Sequence, residues 1–126
     1  MERHTAQIRP APDPGRVLAK AALAAARRLG LTNRDLAKVL GTSEASVSRL
    51  GHERVCRPGG REAELAALFV RLFRSLDALT GGDEAKARAW YHARNLHLRG
   101  VPGERVQSLE GLVDAVQYLD AMRGKL

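Results

Sequence analysis

The stretch Leu31–Leu50, LTNRDLAKVLGTSEASVSRL, constrains this chain more than any other part of it. Leu36, Ala37, Leu40, Val47 and Leu50 are spaced to hold two short helices against each other across a break. Gly41 stands where the first helix must end, a place that often needs a left-handed backbone, which glycine adopts cheaply. Ala37 is small where two such helices would cross closely. Thr32 and Ser43 each precede a helix and offer a side-chain oxygen to its unpaired amides. The window therefore predicts a helix-turn-helix, Asn33–Leu40 then Glu44–Leu50, with the second helix turned outward toward DNA. An ordinary helical hairpin would use the same apolar spacing. The agreement of the small, glycine and capping positions in one window favours the helix-turn-helix.

The flanks extend the helical reading to an all-α fold. Residues 1–12 are polar, carry two prolines and show no periodicity, so they read as a flexible arm whose Arg3 and Arg9 could reach DNA. Asp13-Pro14 resembles a helix start, with aspartate as cap and proline at the first position, and that helix closes at Gly30. GHERVCRPGG, residues 51–60, reads as a loop. From Arg61 to Leu79 the residues Leu65, Leu68, Phe69, Leu72, Phe73, Leu76 and Leu79 recur at three- and four-residue steps, one broad apolar stripe suited to a core or a dimer seam. Thr80-Gly81-Gly82 breaks that helix and Asp83 can cap the next, Glu84–Ala93. A loop follows over 95–101, then a short turn from Pro102, and Ser108 caps a last helix ending near Arg123. The expected organisation is an arm (1–12), a DNA-binding helical bundle (13–60) and a small C-terminal helical domain (61–126).

Charge is placed unevenly. Residues 1–60 carry 11 Lys/Arg against 5 Asp/Glu, net +6, whereas residues 61–126 carry 10 against 9, net +1. The excess lies in the half that holds the helix-turn-helix, as expected for a polyanion partner. Cys56 is the only cysteine, which excludes an intrachain disulfide and suits a reducing compartment. No run approaches the roughly 18 apolar residues of a membrane span, and no signal-peptide core is present, so a cytoplasmic location without membrane association is expected. His4, His52, His92 and His97 have no acid–base partners at fixed spacing. His52 and Cys56 lie four apart, but no third or fourth metal ligand accompanies them. No catalytic site, metal or cofactor is therefore expected.

On the DNA side, Ser43, Glu44, Ala45, Ser46, Ser48 and Arg49 are the candidates for base edges. Arg49 has the fork that matches guanine O6 and N7 together. Glu44 can accept from a cytosine amine or simply support its helix N-terminus. Thr32, Asn33 and Arg34 are expected on phosphates, with His52 and Arg54 (and Arg57) just beyond the reading helix. A single unit of this size binds weakly, so a homodimer on a pseudo-palindromic operator is expected.

In the second half, GGDEAKARAW from Gly81, Asn95 with LRGVP from Leu98, and LEGLVDAVQYLDAMRG from Leu109 follow one another in a specific order. This arrangement resembles the toxin-binding domain of the Xre/MbcA/ParS antitoxins, whose pattern is Gly-Gly-Asp, an Ala-x-x-Trp helix, an asparagine before a Leu-Gly-x-x-Pro-like loop, and a final Gly-to-Gly helix. With the helix-turn-helix, the resemblance covers about residues 30–126. Two departures touch a stretch that could set partner choice: Arg94 stands where proline usually precedes the asparagine, and Tyr91 where leucine commonly follows the tryptophan. Read as residues, Trp90 is a large anchor for the C-terminal subdomain, Gly100 and Pro102 shape the turn that returns the last helix onto it, and Gly111 permits close helix approach. Asn95 either bonds loop backbone or meets a partner.

The resemblance implies a type II antitoxin whose cognate toxin is often a RES-domain enzyme that consumes NAD. It further implies neutralisation by a C-terminal segment laid over the toxin's cleft, here Arg123, Gly124, Lys125 and Leu126, flanked by Arg94 and Arg99. Each of these cations could equally be a solvated surface charge. The DNA-binding half would repress the module's own operon. The alternative is a helix-turn-helix regulator whose C-terminal domain only dimerises or senses a ligand.

Overall fold

The computed structural model describes residues 13–125. The proposed arm with Arg3 and Arg9, and the last residue Leu126, lie outside the described residues. Seven helices are present among those described: α1 (Pro14–Arg28), α2 (Asn33–Leu40), α3 (Glu44–Ser48), α4 (Arg61–Leu79), α5 (Glu84–His92), α6 (Pro102–Arg105) and α7 (Leu109–Arg123). The fold is all-α; extended pairing is confined to two isolated bridges, Leu50 with Arg54 and Asn95 with Gly100.

Helix α4 is the spine. Leu65, Phe69, Leu72 and Leu76 form one buried stripe along it, and Ala66, Val70 and Phe73 form a second stripe beside the first. Two adjacent stripes make an apolar face too wide for one partner. Accordingly α4 packs on α1 and α2 on one side and on α7 on the other. Helix α1 brings to the shared core Ala19, Ala22 and Ala26, all buried and all small, which lets the helices pack closely. Helix α7 contributes Leu112, Ala115, Val116 and Leu119. A single core cluster runs through all of these.

Further contacts lock the two halves. The last carbonyls of α1, which have no partner within the helix, receive donors from α5: Arg88 Nε donates to Arg28 O at 2.8 Å and its Nη2 to Arg27 O at 3.2 Å. His92 Nε2 lies 3.0 Å from Leu29 O. Arg28 is itself paired with Asp77 at 3.1 Å and sits 4.9 Å above the Phe73 ring.

Three expectations need correction. Trp90 is not the buried anchor of the C-terminal unit. In α5 the inward positions are Ala87 and Tyr91, four apart on one face, so Trp90 is turned about 100° aside and is only partly covered. The anchor is Tyr91, 1% exposed, and a Cβ at Gly103 would collide with its ring. Gly100 is not the residue that makes the loop turn, because its φ is ordinary and Arg99 carries the left-handed backbone at φ 56°. Finally, α3 stops at Ser48 rather than Leu50. Arg49 N and Leu50 N bond three residues back, to Ser46 O and Val47 O, and Gly51 at φ 91° then turns the chain away.

Pro102 is buried at the first position of α6. Gly111 permits a close approach, as expected, and the approaching group is backbone: a Cβ there would fall deep inside contact with Arg105 O. Gly124 has φ −66° and no neighbour closer than 3.5 Å to an added Cβ. Gly111→Ala should therefore cost about 1–3 kcal/mol or more, read as a lower midpoint in urea. Gly124→Ala should be neutral or slightly stabilising, by up to about 1 kcal/mol.

Candidate functional site

The outer surface of the helix-turn-helix is built from inside. Leu36, Ala37, Leu40, Val47 and Leu50 are all buried, and Gly41 ends α2 with φ 68° and ψ 34°. With Val47 and Leu50 directed inward, Glu44, Ala45 and Ser48 of α3 and Arg49 at its C-terminal end are left exposed. Several polar side chains of this surface also hold it in shape. Ser43 Oγ accepts from Ser46 N at 3.1 Å, and Ser48 Oγ donates to Ala45 O at 2.8 Å. His52 Nε2 reaches Ser48 O at 2.7 Å, folding the imidazole over the end of α3.

At the start of α2, Thr32 and Asp35 make a reciprocal cap. Thr32 Oγ1 accepts from Asp35 N at 3.1 Å, and Asp35 Oδ2 accepts from Thr32 N at 3.0 Å. The Thr32 amide holds the Asp35 carboxyl below the usual carboxylate range. Asn33 and Arg34 beside it are exposed.

Arg54 requires a correction. It is not a free cation for phosphate. Its Nε donates to Ser46 O at 2.9 Å, and its two terminal nitrogens meet Glu62 Oε1 and Oε2 at 2.7 and 2.8 Å. This two-pronged pair is partly buried and ties α3 to the start of α4. Cys56 packs under α1, where Gly15 O accepts from its amide at 3.4 Å. Burial pushes its thiol up, whereas His52 is exposed in the turn that follows α3.

The second candidate region is the 94–101 loop and the end of α7. Asn95 and Gly100 bond each other's backbone, at 2.8 and 3.2 Å, and Asn95 Oδ1 accepts from Leu98 N at 3.1 Å. Asn95 thus closes the loop, the first of the two roles open to it from the sequence. Arg94 and Arg99 are exposed. A non-glycine residue in the left-handed region costs about 1–2 kcal/mol, and Arg99 occupies the glycine position of the Leu-Gly-x-x-Pro pattern. Arg123, Gly124 and Lys125 are exposed at the end of α7. Arg123 also borders a trough of about 840 Å3 that Val17, Leu18 and Arg74 help to line.

Side chains in an arrangement that the sequence did not predict complete this region. Trp90 stacks on Tyr118 with centroids 6.5 Å apart and planes 10° apart. His97 stacks on the same ring at 5.1 Å. Leu96, in the loop, is 88% exposed. Only the exposed apolar residue in a short polar loop could have signalled it; the ring stack joins three segments and has no local signature.

Comparison with family models assigns both halves. Residues 9–71 match the antitoxin Xre-like helix-turn-helix domain, and residues 75–125 match the antitoxin Xre/MbcA/ParS C-terminal toxin-binding domain. The chain belongs to the Xre/MbcA/ParS antitoxins. No match emerges from comparison with curated proteins. The antitoxin thus combines a DNA-binding helix-turn-helix with a domain that takes a toxin as partner, families that are generally not enzymes. No helix among its described residues is long and apolar enough to cross a membrane.

Two outcomes follow for the antitoxin's DNA-binding surface. Arg54→Ala should lower stability by about 1.5–3 kcal/mol, the range for hydrogen bonds to charged groups, while leaving the salt dependence of DNA binding unchanged. A phosphate contact would instead reduce that slope by about one. Because the folded carboxyl of Asp35 is lowered, its cap contribution is complete above the unfolded value of 3.8 and is lost as pH falls through the folded one. The melting temperatures of the native protein and Asp35→Ala should therefore differ at pH 7 and converge in acid.

Proposed function

We propose that the antitoxin neutralises a RES-type, NAD-consuming toxin by laying its C-terminal segment over the toxin's cleft, and represses its own operon as a homodimer on a pseudo-palindromic operator in the cytoplasm. The observation that carries the DNA half is the outward face of α3. Arg49 is exposed beside Ser48, Ala45 and Glu44, while Val47 and Leu50 fix the helix from within. Arg49 is the reader of a guanine; Ser43 and Ser46 set the helix start. Asn33, Arg34 and the Thr32 hydroxyl rest on phosphates, and His52 lies at the edge of this surface.

Support for the inhibitory half comes from the end of α7. Arg123 and Lys125 are exposed there, and α7 is anchored along its length by Leu112, Val116 and Leu119. A rigid helix thereby presents two cations at its tip, a suitable group to take the place of counter-charges in a cleft that binds a pyrophosphate. Arg94 and Arg99 add cations on the same domain. The match of residues 75–125 to a toxin-binding domain favours this reading over a regulator that only dimerises or senses a ligand.

Arg49→Ala should cost about 1–3 kcal/mol on the operator and relax preference at one position. Equal losses on operator and random DNA, in a fluorescence-anisotropy titration, would remove Arg49 as a reader. Deleting 123–126 should leave operator affinity unchanged and abolish growth rescue when co-expressed with the toxin. Continued growth would sink the proposed plug.

A further inference from the structure

Resting on the toxin-neutralising reading, we infer that the antitoxin's main grip on its toxin is the Leu96 loop together with the ring stack beneath it, and that the C-terminal tail works from this anchor. Leu96 is the most exposed of the large apolar side chains among the described residues, at 88%. A leucine held this far out in a loop that is otherwise tightly built is an anchor without its socket. The loop is tightly built: Asn95 and Gly100 bond each other twice, Asn95 Oδ1 holds Leu98 N, and Arg105 Nε donates to Leu98 O at 2.9 Å. Leu96 therefore loses little freedom when it is bound, which is what a preorganised anchor requires.

Its surroundings have the composition of an interface centre. His97, next in the loop, lies on Tyr118, which lies on Trp90. These rings are flat, partly open, and large for the conformational freedom they lose. One helical turn beyond Tyr118, Met122 is 37% exposed on the same face of α7, and Lys125 follows just past the end of the helix. Leu96, the rings and Met122 thus lie on the same domain as the tail already proposed to enter the cleft.

Charge narrows the occupant. Arg94 and Arg99 flank Leu96, both exposed, and neither is ion-paired among the described residues. Of the two α7 carboxylates that border the same hollow as Arg99, Asp114 is already taken by Arg105 at 3.0 Å, and Glu110 is exposed without pairing to either arginine. The matching surface is an apolar socket ringed by carboxylates, on the toxin. A second copy of this chain would set Arg94 and Arg99 against their own counterparts, a like-charge juxtaposition that disfavours pairing.

The test uses the full chain and the purified protein encoded by the adjoining gene of the operon, with affinity measured by calorimetry. Leu96→Asp should weaken binding at least about 30-fold, as loss of a hot-spot residue does, and Leu96→Met should stay within about threefold. Melting temperature, operator affinity and the oligomeric state of the free protein should not change. Unaltered toxin affinity in Leu96→Asp, with the native protein binding, overturns the anchor and leaves the antitoxin reading in place. No binding by the native protein overturns both. A lower melting temperature would show that Leu96 is packed in solution, weaker operator binding that the patch serves DNA, and an altered oligomeric state that it joins two copies. Each of these overturns the proposal.

Discussion

Burial of the two apolar stripes of α4 is the interaction on which the rest depends. Phe69, Leu72 and Leu76 are nearly inaccessible, and a helix apolar over so wide an arc needs neighbours on both sides. The N-terminal bundle covers one side and α7 the other. Full burial of a leucine or phenylalanine contributes about 1.5–3 kcal/mol, so neither half can release α4 without exposing several such residues. The DNA-reading half and the toxin-binding half therefore share a core.

That sharing is reinforced at the surface. Arg88 and His92 of α5 sit on the open carbonyls at the end of α1, and the charge of Arg88 is favourable there because the helix dipole leaves partial negative charge. Arg28 pairs with Asp77 of α4 in the same place. The arrangement gives the antitoxin a rigid relation between the outward face of α3 and the tip of α7. Toxin and DNA thus meet preformed surfaces, and preorganisation of this kind reduces the ordering cost of binding.

Much of this was legible locally. Gly41 ends α2 in the left-handed region, Thr32 and Ser43 cap as expected, and the bounds of α2 and α4 coincide with those read from spacing, because these features depend on residues three or four apart. The Arg54–Glu62 pair was not legible. Both residues are ordinary surface types, and only the turn at Gly51 brings the arginine back over Ser46 and against α4. Trp90 and Tyr91 were exchanged for a similar reason. Size pointed to tryptophan as the anchor, but the inward face of α5 is set by Ala87, and four residues on from it stands Tyr91.

By itself the sequence determined the helices, their caps, the helix-turn-helix and the order of motifs that marks the antitoxin's second half. Periodicity, glycine placement and capping chemistry act over a single turn, so one strand of text contains them. The tertiary structure alone decided which polar groups remain available. It committed Arg54 to Glu62 and Asn95 to its own loop, placed the left-handed strain on Arg99, and stacked His97, Tyr118 and Trp90 from three separate segments beside an exposed Leu96. Availability is a property of what lies across the fold, and packing across the fold is not written in local spacing.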